Sequence, residues 1–171
     1  CNDHNDKPAE CWNFDDAAHS PNSFALCTRP VMPERIIERE GKKIYDFGKE
    51  LMAYVRLSEI AGSGSVRLYY GESAEEAADT QYCELTDTLA VSAGEAVTPI
   101  AKAFRYLYVE SEVSIGGVCA LFEYLPLQPK SSFRSDDARL NAIYETALYT
   151  LHLNTREFFL DGIKRDRWVW G

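Results

Sequence analysis

The hydrophobic periodicity of the chain changes at two prolines, Pro126 and Pro129. Before them, over residues 20–125, apolar side chains recur mainly at every second position, which is the period of a strand with one buried face. After them, apolar side chains recur three and four positions apart, which is the period of a helix. Because the two periods need different backbones, we expect a β domain followed by a helical element.

Three stretches in the first part alternate clearly. Their apolar positions are Leu51, Ala53, Val55 and Leu57; then Val66, Leu68 and Tyr70; then Phe104, Tyr106 and Tyr108. Turn residues separate the stretches at intervals too short for βαβ crossovers, which favours antiparallel sheets packed face to face. We therefore predict a mainly β fold, a jelly-roll-like antiparallel β-sandwich. Four side chains are expected in its core, namely Tyr45, Phe47, Leu51 and Phe104.

Smaller elements are also predicted in this part. Residues 62–65, Gly-Ser-Gly-Ser, indicate a hairpin loop between two strands. Residues 72–78 are predicted to form one short helix in a loop, and residues 118–125 are apolar enough for a strand with both faces covered.

A helix is predicted near residues 136–154, with Ser135 as the N-cap and two aspartates in the first turn. Its apolar stripe consists of Leu140, Ile143, Ala147, Leu148 and Leu151. No other segment has a helical pattern strong enough to cover this stripe. We therefore expect protein outside residues 1–171, or another copy of the chain, to cover it.

The charge balance narrows the range of partners. The formal net charge is −9, from 27 acidic and 18 basic residues, which would repel phosphate backbones and anionic membranes. We expect no nucleic-acid partner. No stretch approaches the about 20 apolar residues of a membrane span. The first residues have no basic and apolar regions of an export signal, so any signal was removed or is absent from this segment.

Five cysteines occur without a CxxC pair, which argues against a zinc ribbon. Cys27 and Cys119 lie in apolar runs and are predicted to pack as small hydrophobic side chains, although a disulfide stays open. Cys1, before a polar stretch, is also typical of a lipidated, processed chain, and a boundary of the segment explains it equally. We predict no cofactor and no metal site.

Residues 161–171 combine two carboxylates, three cations and two indoles. A glycoside hydrolase needs an acid to protonate the leaving oxygen and a carboxylate to stabilise the transition state, and indoles pack on sugar rings. Taken alone, such a run is more often a solvated helix terminus than a catalytic site.

Other candidates have simpler explanations. His4 and His19 are far from His152, which is expected to be a satisfied helix residue rather than a metal ligand. Three acids at strand ends are expected to be solvated loop residues rather than cation ligands: Asp46, Glu50 and Glu72. Four tyrosines in strands are expected to fill a core rather than to form a lectin-like platform: Tyr69, Tyr70, Tyr106 and Tyr108.

Three stretches together resemble bacterial α-L-rhamnosidases of glycoside hydrolase family 78. They are Ile44-Tyr-Asp-Phe-Gly-Lys-Glu-Leu-Met-Ala-Tyr-Val55; Phe104-Arg-Tyr106; and Ser135-Asp-Asp-Ala-Arg-Leu-Asn141 leading to residues 161–171. In that family a β-sandwich precedes a catalytic (α/α)6 barrel. The resemblance implies a sandwich domain over residues 1–126, a linker over 127–134, and the first helix and catalytic-acid loop of the barrel over 135–171.

The resemblance also implies roles for four residues. Asp161 resembles the aspartate that holds the rhamnose hydroxyls, Arg165 the arginine that assists it, and Asp166 the general acid. Trp170 resembles the aromatic wall of the sugar pocket. The general base of the family would lie beyond Gly171.

The chain departs from the commoner family pattern in this run. Glutamate is more usual at Asp166, proline at Ile163, and Leu-Gly at the pair Trp168-Val169. An aspartate is one methylene shorter, so the acid would need a closer backbone or a different sugar pose.

Two hypotheses follow. The first is that the chain is part of an inverting α-L-rhamnosidase that hydrolyses terminal α-L-rhamnose from glycans or glycosides. Its partners would be a rhamnose-containing carbohydrate and the remainder of its own catalytic domain, without which residues 1–171 would be inactive. The second is a non-catalytic β-sandwich that binds carbohydrate or supports a neighbouring domain. We expect a periplasmic or extracellular location, with a lipid anchor or a cytoplasmic location as alternatives.

Overall fold

The computed structural model describes residues 25–127, 130–156 and 159–164. These form eight strands and two helices: β1 Cys27–Val31, β2 Arg35–Arg39, β3 Lys42–Ala61, β4 Gly64–Gly71, α1 Ala74–Ala78, β5 Leu85–Val91, β6 Gly94–Val97, β7 Lys102–Ser111, β8 Ser114–Tyr124 and α2 Ala138–Asn154. The prediction of a mainly antiparallel β fold with a C-terminal helix is confirmed.

The eight strands form one continuous hydrogen-bonded sheet that folds over a shared core, and β3 joins its two layers, the first and the second sheet of the sandwich. The first half of β3 pairs with β2 and β7, its second half pairs with β6 and β8, and all pairs are antiparallel. The first sheet continues through β4 to β5, and the second continues to β1. Leu68 and Leu107 of the first sheet share one core with Val55 and Leu57 from the second half of β3. The chain therefore folds as the predicted sandwich.

An irregularity in β3 comes shortly before its passage from one layer to the other, since β3 still pairs with β7 as far as Ala53, where its pairing with β8 begins. The register of β3 against β7 shifts between Asp46 and Leu51. Gly48, inside this irregularity, has a φ of +79°, and a Cβ atom there would lie 2.2 Å from the carboxyl carbon of Glu34. The backbone angle favours glycine at this position, and a side chain there would also have to displace the carboxyl group of Glu34.

Asp46 holds the irregularity in place. Its side chain is only 1% exposed and accepts hydrogen bonds from Arg105 Nε and Arg35 Nε, both at 2.8 Å, and from Gly48 N–H at 2.9 Å. The hydrogen bond from Arg105 contributes most to lowering the pKa of Asp46 to about 2; burial opposes it, and Gly48 and Arg35 add to it. The prediction of a solvated loop acid was wrong here, because two cations compensate its burial.

The alternation predicted for β3 is confirmed, since Leu51, Ala53, Val55 and Leu57 are all buried. Three of the four predicted core side chains, Phe47, Leu51 and Phe104, are also buried, and Tyr45 packs partly buried against the same core.

The prediction of one shared face for Phe104, Tyr106 and Tyr108 was wrong. Phe104 and Leu107 lie in the main core, whereas Tyr106 and Tyr108 pack against Ile44, Ala77 and Ala78 in a second cluster on the other side of the sheet. The strand passes the irregularity of β3 between these positions, so its side chains do not keep a strict period of two.

Residues 62–65 do not close a hairpin, contrary to the prediction. Strand β4 pairs with β5 and β7, and not with β3. Both edges at the end of β3 are already occupied, because Ile60 pairs with Gly94 on β6 and with Ile115 on β8. The loop therefore carries the chain from one sheet to the other.

The two predicted helices are present. The α1 helix lies inside residues 72–78, and its N-cap Ser73 accepts a hydrogen bond from the N–H of Glu76. The N-cap of α2 is Asp137 rather than Ser135: its carboxylate accepts from the N–H of Arg139 at 2.8 Å. Ser135 instead accepts from the N–H of Asp137 itself, so its hydroxyl orders the turn before the helix.

The two sides of α2 have different environments. One side faces the sandwich, where Leu153 is buried and Tyr149 is partly buried against the main core. On the other side Leu140, Ile143 and Leu151 are 46%, 64% and 56% exposed. The predicted apolar stripe is therefore largely uncovered by the described residues. Neither helix in this part of the chain is long and apolar enough to cross a bilayer.

The described cysteines carry free thiols. Cys119 is buried, as predicted. The prediction that Cys27 packs in the interior was wrong, because its side chain is exposed on β1, which among the described residues pairs only with β8.

Replacing Asp46 with asparagine should lower the free energy of unfolding by about 2–4 kcal/mol at pH 7, because Arg105 and Arg35 would face no carboxylate. Urea unfolding measures this change. The matched control is Asp136→Asn, at an exposed position, which should change the value by less than about 0.5 kcal/mol.

The pH dependence gives a second check on Asp46. A lowered pKa means that the folded state favours the ionised carboxylate, so the stabilisation is complete above the ordinary value of 3.8 and is lost as pH falls towards about 2. The difference between the wild type and Asp46→Asn should therefore shrink between pH 4 and pH 2. An equal difference at both pH values would contradict the assignment.

Candidate functional site

A cleft of about 1490 Å³ lies where helix α2 and residues 161–164 face the sandwich. Strand β3 contributes residues 48–50, directly after the irregularity at Asp46, and the loops on either side of α1 contribute Glu72 and Glu84. The opposite wall includes Tyr149 of α2. Asp161 and Lys164 line the cleft as well, so it contains the described part of the polar run.

The ammonium group of Lys164 lies among three acidic side chains of the sandwich. It is 2.5 Å from Glu76 Oε1, 3.6 Å from Glu72 Oε2 and 3.9 Å from Glu84 Oε2, and the Lys164 side chain is 14% exposed. Burial alone would lower the pKa of Lys164, but the hydrogen bond to Glu76 and the charges of the acids outweigh it, and the pKa is raised. Lys164 is therefore charged throughout the neutral range.

Glu50 is the acid with the least compensation. Its Oε1 atom is buried and has no hydrogen-bond partner among the described residues. Burial, with smaller contributions from the charges of Glu72 and Glu76, raises the pKa of Glu50 to about 7, although Lys164 and Arg105 oppose the shift. The prediction of a solvated acid was wrong for Glu50 too, because the cleft removes it from water. The site thus holds a carboxyl group that changes charge near neutral pH.

Polar contacts attach α2 to the sandwich. The Tyr149 hydroxyl donates to the Glu50 carbonyl at 2.5 Å, and His152 Nε2 lies 3.1 Å from the Leu125 carbonyl oxygen. Arg156 forms an ion pair with Glu123, and both side chains are largely buried. These contacts define how the helix approaches the cleft. They also confirm that His152 is a satisfied helix residue.

The predicted site residues are only partly described. Asp161 lies in the wall of the cleft. Arg165, Asp166 and Trp170 lie outside the described residues, so their roles stay predictions. Lys164 was not singled out from the sequence as a site residue, although it belongs to the same run. Its partner Glu76 is 88 positions away, and no local pattern links the two.

The remaining candidates do not form a site in the described part of the chain. Tyr69 and Tyr70 are buried, and Tyr69 stacks on Tyr108 with ring centroids 5.6 Å apart, so the tyrosines fill the interior rather than form a platform. No group of three or more histidine, cysteine, aspartate or glutamate side chains among residues 25–127, 130–156 and 159–164 is arranged to hold a metal ion. His4 and His19 lie outside these ranges.

Residues 4–109 match the family described as alpha-rhamnosidase-like, bacteroidetes, N-terminal. This match spans more than half of the 171 residues, so the chain belongs to that family. The resemblance inferred from the three sequence stretches is thereby confirmed. No curated protein matches the chain.

Solved rhamnosidase structures share the fold. A rhamnosidase from Klebsiella oxytoca with rhamnose bound is 22% identical with a TM-score of 0.68, and the match covers 88% of this chain and 41% of that one. A GH78 family rhamnosidase of Bacillus sp. GL1 is 21% identical, with a TM-score of 0.60 over 75% of this chain and 15% of that one. An α-L-rhamnosidase from Aspergillus terreus is 17% identical, with a TM-score of 0.63 over 81% and 18%. The chain thus spans less than half of each.

Replacing Glu50 with glutamine should stabilise the protein at high pH. Below its ordinary pKa of 4.5 the group is neutral in both states; from 4.5 to about 7 only the unfolded chain ionises it, and above about 7 the folded state carries the full cost of a buried charge. Glu50→Gln should therefore raise the melting temperature at pH 8 by about 3–10 °C, and by much less at pH 4.5. Circular dichroism melts at the two pH values measure this.

The control for Glu50 is Glu145→Gln, which changes an exposed acid on α2. This variant should melt with the wild type at both pH values. If Glu50→Gln were no more stable than the wild type at pH 8, the carboxyl would not be desolvated in the folded protein.

Proposed function

We propose that this chain is the N-terminal part of an inverting α-L-rhamnosidase that hydrolyses terminal α-L-rhamnose from glycans or glycosides. The observation that supports the proposal most is membership of the alpha-rhamnosidase-like N-terminal family over residues 4–109. A second support is the position of Asp161, the first residue of the polar run, in a cleft beside the sandwich.

The chemistry assigns a separate task to each predicted residue. Asp166 donates a proton to the leaving oxygen as general acid. Asp161 and Arg165 hold the sugar hydroxyls and stabilise the developing charge, and Trp170 packs on the apolar face of the ring. In an inverting reaction the general base lies roughly 6.5–9.5 Å from the acid and activates a water between them. The remainder of the catalytic domain supplies that base.

The uncovered side of α2 is consistent with such a domain. Leu140, Ile143 and Leu151 are exposed large apolar side chains on one helix. At about 25 cal/mol per Å² of apolar surface, covering them contributes several kcal/mol. We propose that the following helices of the catalytic domain cover this side of α2, or in their absence a second copy of the chain.

Residues 1–171 alone should therefore self-associate through this helix. We expect the double variant Ile143→Glu and Leu151→Glu to shift the chain towards monomer, because both substitutions put charge on the apolar surface. Sedimentation velocity at several concentrations measures the shift. A wild-type chain that stays monomeric, with α2 ordered and its apolar side in water, would contradict the proposal.

The acid assignment is tested in a chain that continues through the whole helical domain. There Asp166→Asn should lower kcat by a factor on the order of 10² to 10⁴ on a natural rhamnoside, with a smaller loss on an aryl rhamnoside whose leaving group needs little protonation. Asp136→Asn, at an exposed position outside the cleft, should keep wild-type turnover. Residues 1–171 alone should show no hydrolysis.

Two outcomes would reject parts of the proposal. Near-normal turnover of Asp166→Asn on a substrate with a poor leaving group would reject Asp166 as the acid and leave Asp161 to be tested. If the extended parent chain did not hydrolyse any α-L-rhamnoside, the non-catalytic carbohydrate-binding or supporting module would replace the enzyme.

A further inference from the structure

Lys164 connects the polar run to a part of the sandwich that the proposed chemistry does not use. Its three acidic neighbours all come from the segment around α1: Glu76 lies in the helix, and Glu72 and Glu84 lie on either side of it. The shortest contact, 2.5 Å, is to Glu76. A lysine with this little exposure and a carboxylate at that distance is held in one place rather than solvated.

The carboxylate of Glu76 is itself oriented. Its Oε2 accepts a hydrogen bond from the N–H of Glu72 at 2.9 Å, while the N–H of Glu76 donates to the Ser73 hydroxyl at 3.1 Å. This reciprocal arrangement resembles a capping box at the first turn of a helix. One oxygen of Glu76 is thereby used to orient the side chain, and the other, Oε1, receives Lys164.

The α1 helix has little freedom to move. Ala77 is fully buried, and the Lys42 ammonium donates to the Ala78 carbonyl. A Cβ atom at Gly71 would lie 2.5 Å from the Ser73 carbonyl oxygen and 2.6 Å from the Ala77 nitrogen, so the helix lies directly against the end of β4. The acid that binds Lys164 is therefore fixed to the sandwich.

Fixing Lys164 also restricts its neighbours in sequence. Asp161 precedes it by three positions and Asp166 follows it by two. Because each residue extends the chain by at most about 3.6 Å, the backbone of Asp161 lies within about 11 Å of Lys164. Ile163, which lies between them in sequence, packs against the sandwich core and so further restricts the backbone path from Asp161 to Lys164.

We propose that Lys164 is a positioning residue: through Glu76 it attaches the acid-bearing run to the sandwich and so sets where Asp161 lies and from which point the chain continues towards Asp166. This inference rests on the proposed function for its catalytic consequence, whereas the attachment itself is independent of any activity. The β-sandwich then contributes to the geometry of the active site, because its α1 segment positions the acid-bearing run of the next domain.

The attachment of the run to α1 through Lys164 and Glu76 is tested first by hydrogen exchange on residues 1–171, which needs no activity assay. The N–H of Leu160 donates to the Asn154 carbonyl at 2.8 Å and reports on the approach to the run. We expect Lys164→Met and Glu76→Gln each to speed exchange of this amide by about tenfold, because the run is released from α1. Lys130→Met, an exposed lysine of the same cleft, is the control and should leave exchange unchanged.

The catalytic consequence is tested in the chain extended through the helical domain. Lys164→Met should lower kcat about 10- to 100-fold, because the acid is displaced, and should also raise KM, because Asp161 holds the sugar hydroxyls. Lys164→Arg should recover most of the loss, because a guanidinium also pairs with carboxylates. The double variant Lys164→Met and Glu76→Gln should be no slower than the slower single variant.

The outcomes separate this inference from the proposed function. Unchanged exchange in Lys164→Met would overturn the attachment. Faster exchange with wild-type kcat, or additive losses in the double variant, would overturn the positioning role. An extended parent chain without any rhamnosidase activity would reject the proposed function, and the exchange result would still decide whether Lys164 attaches the run to the sandwich.

Discussion

The buried carboxylate of Asp46 is the interaction on which the sandwich depends. It joins Arg35 of β2 and Arg105 of β7 to the irregular part of β3, and it accepts from the N–H of Gly48. Beyond this point β3 still pairs with β7 as far as Ala53, where its pairing with β8 begins. Directly after Asp46, Phe47 enters the main core, where its ring meets Phe104 edge-on at 5.5 Å between centroids. One paired charge therefore stabilises the irregular part of β3, a few residues before the two layers are joined.

The same irregularity supplies a wall of the cleft. Gly48, Lys49 and Glu50 follow Asp46 and line it, and the Glu50 carbonyl receives the Tyr149 hydroxyl of α2. The neighbouring wall carries Glu76, whose oxygen receives Lys164. The site is thus built from the sandwich outwards: a bent strand and a short helix present fixed groups to α2 and to the polar run.

Of the predicted site residues, Asp161 lines the cleft, while the roles of the others stay predictions, and the parts of the cleft that the sequence missed share one cause. The polar run at residues 161–171 was recognisable because its carboxylates and indoles are close together along the chain. The groups that surround this run in the folded chain were not recognisable from the sequence. Glu50 resembled an ordinary strand-end acid, and its raised pKa arises from packing against segments far away in sequence. Glu76 and Lys164 are separated by 88 positions, so only the folded chain brings them together.

The sequence by itself determined the class of fold, the order of a β domain and a helix, and the family, because hydrophobic period and motif spacing are local properties of the chain. The tertiary structure decided which strands pair and which charges meet. Residues 62–65 carry an ordinary turn signal, yet they connect two sheets because β6 and β8 already occupy both edges of β3. Tyr106 and Tyr108 face away from the main core because β7 passes the irregularity of β3. Competition for strand edges and the pairing of buried charges are settled between distant segments, which no local pattern records.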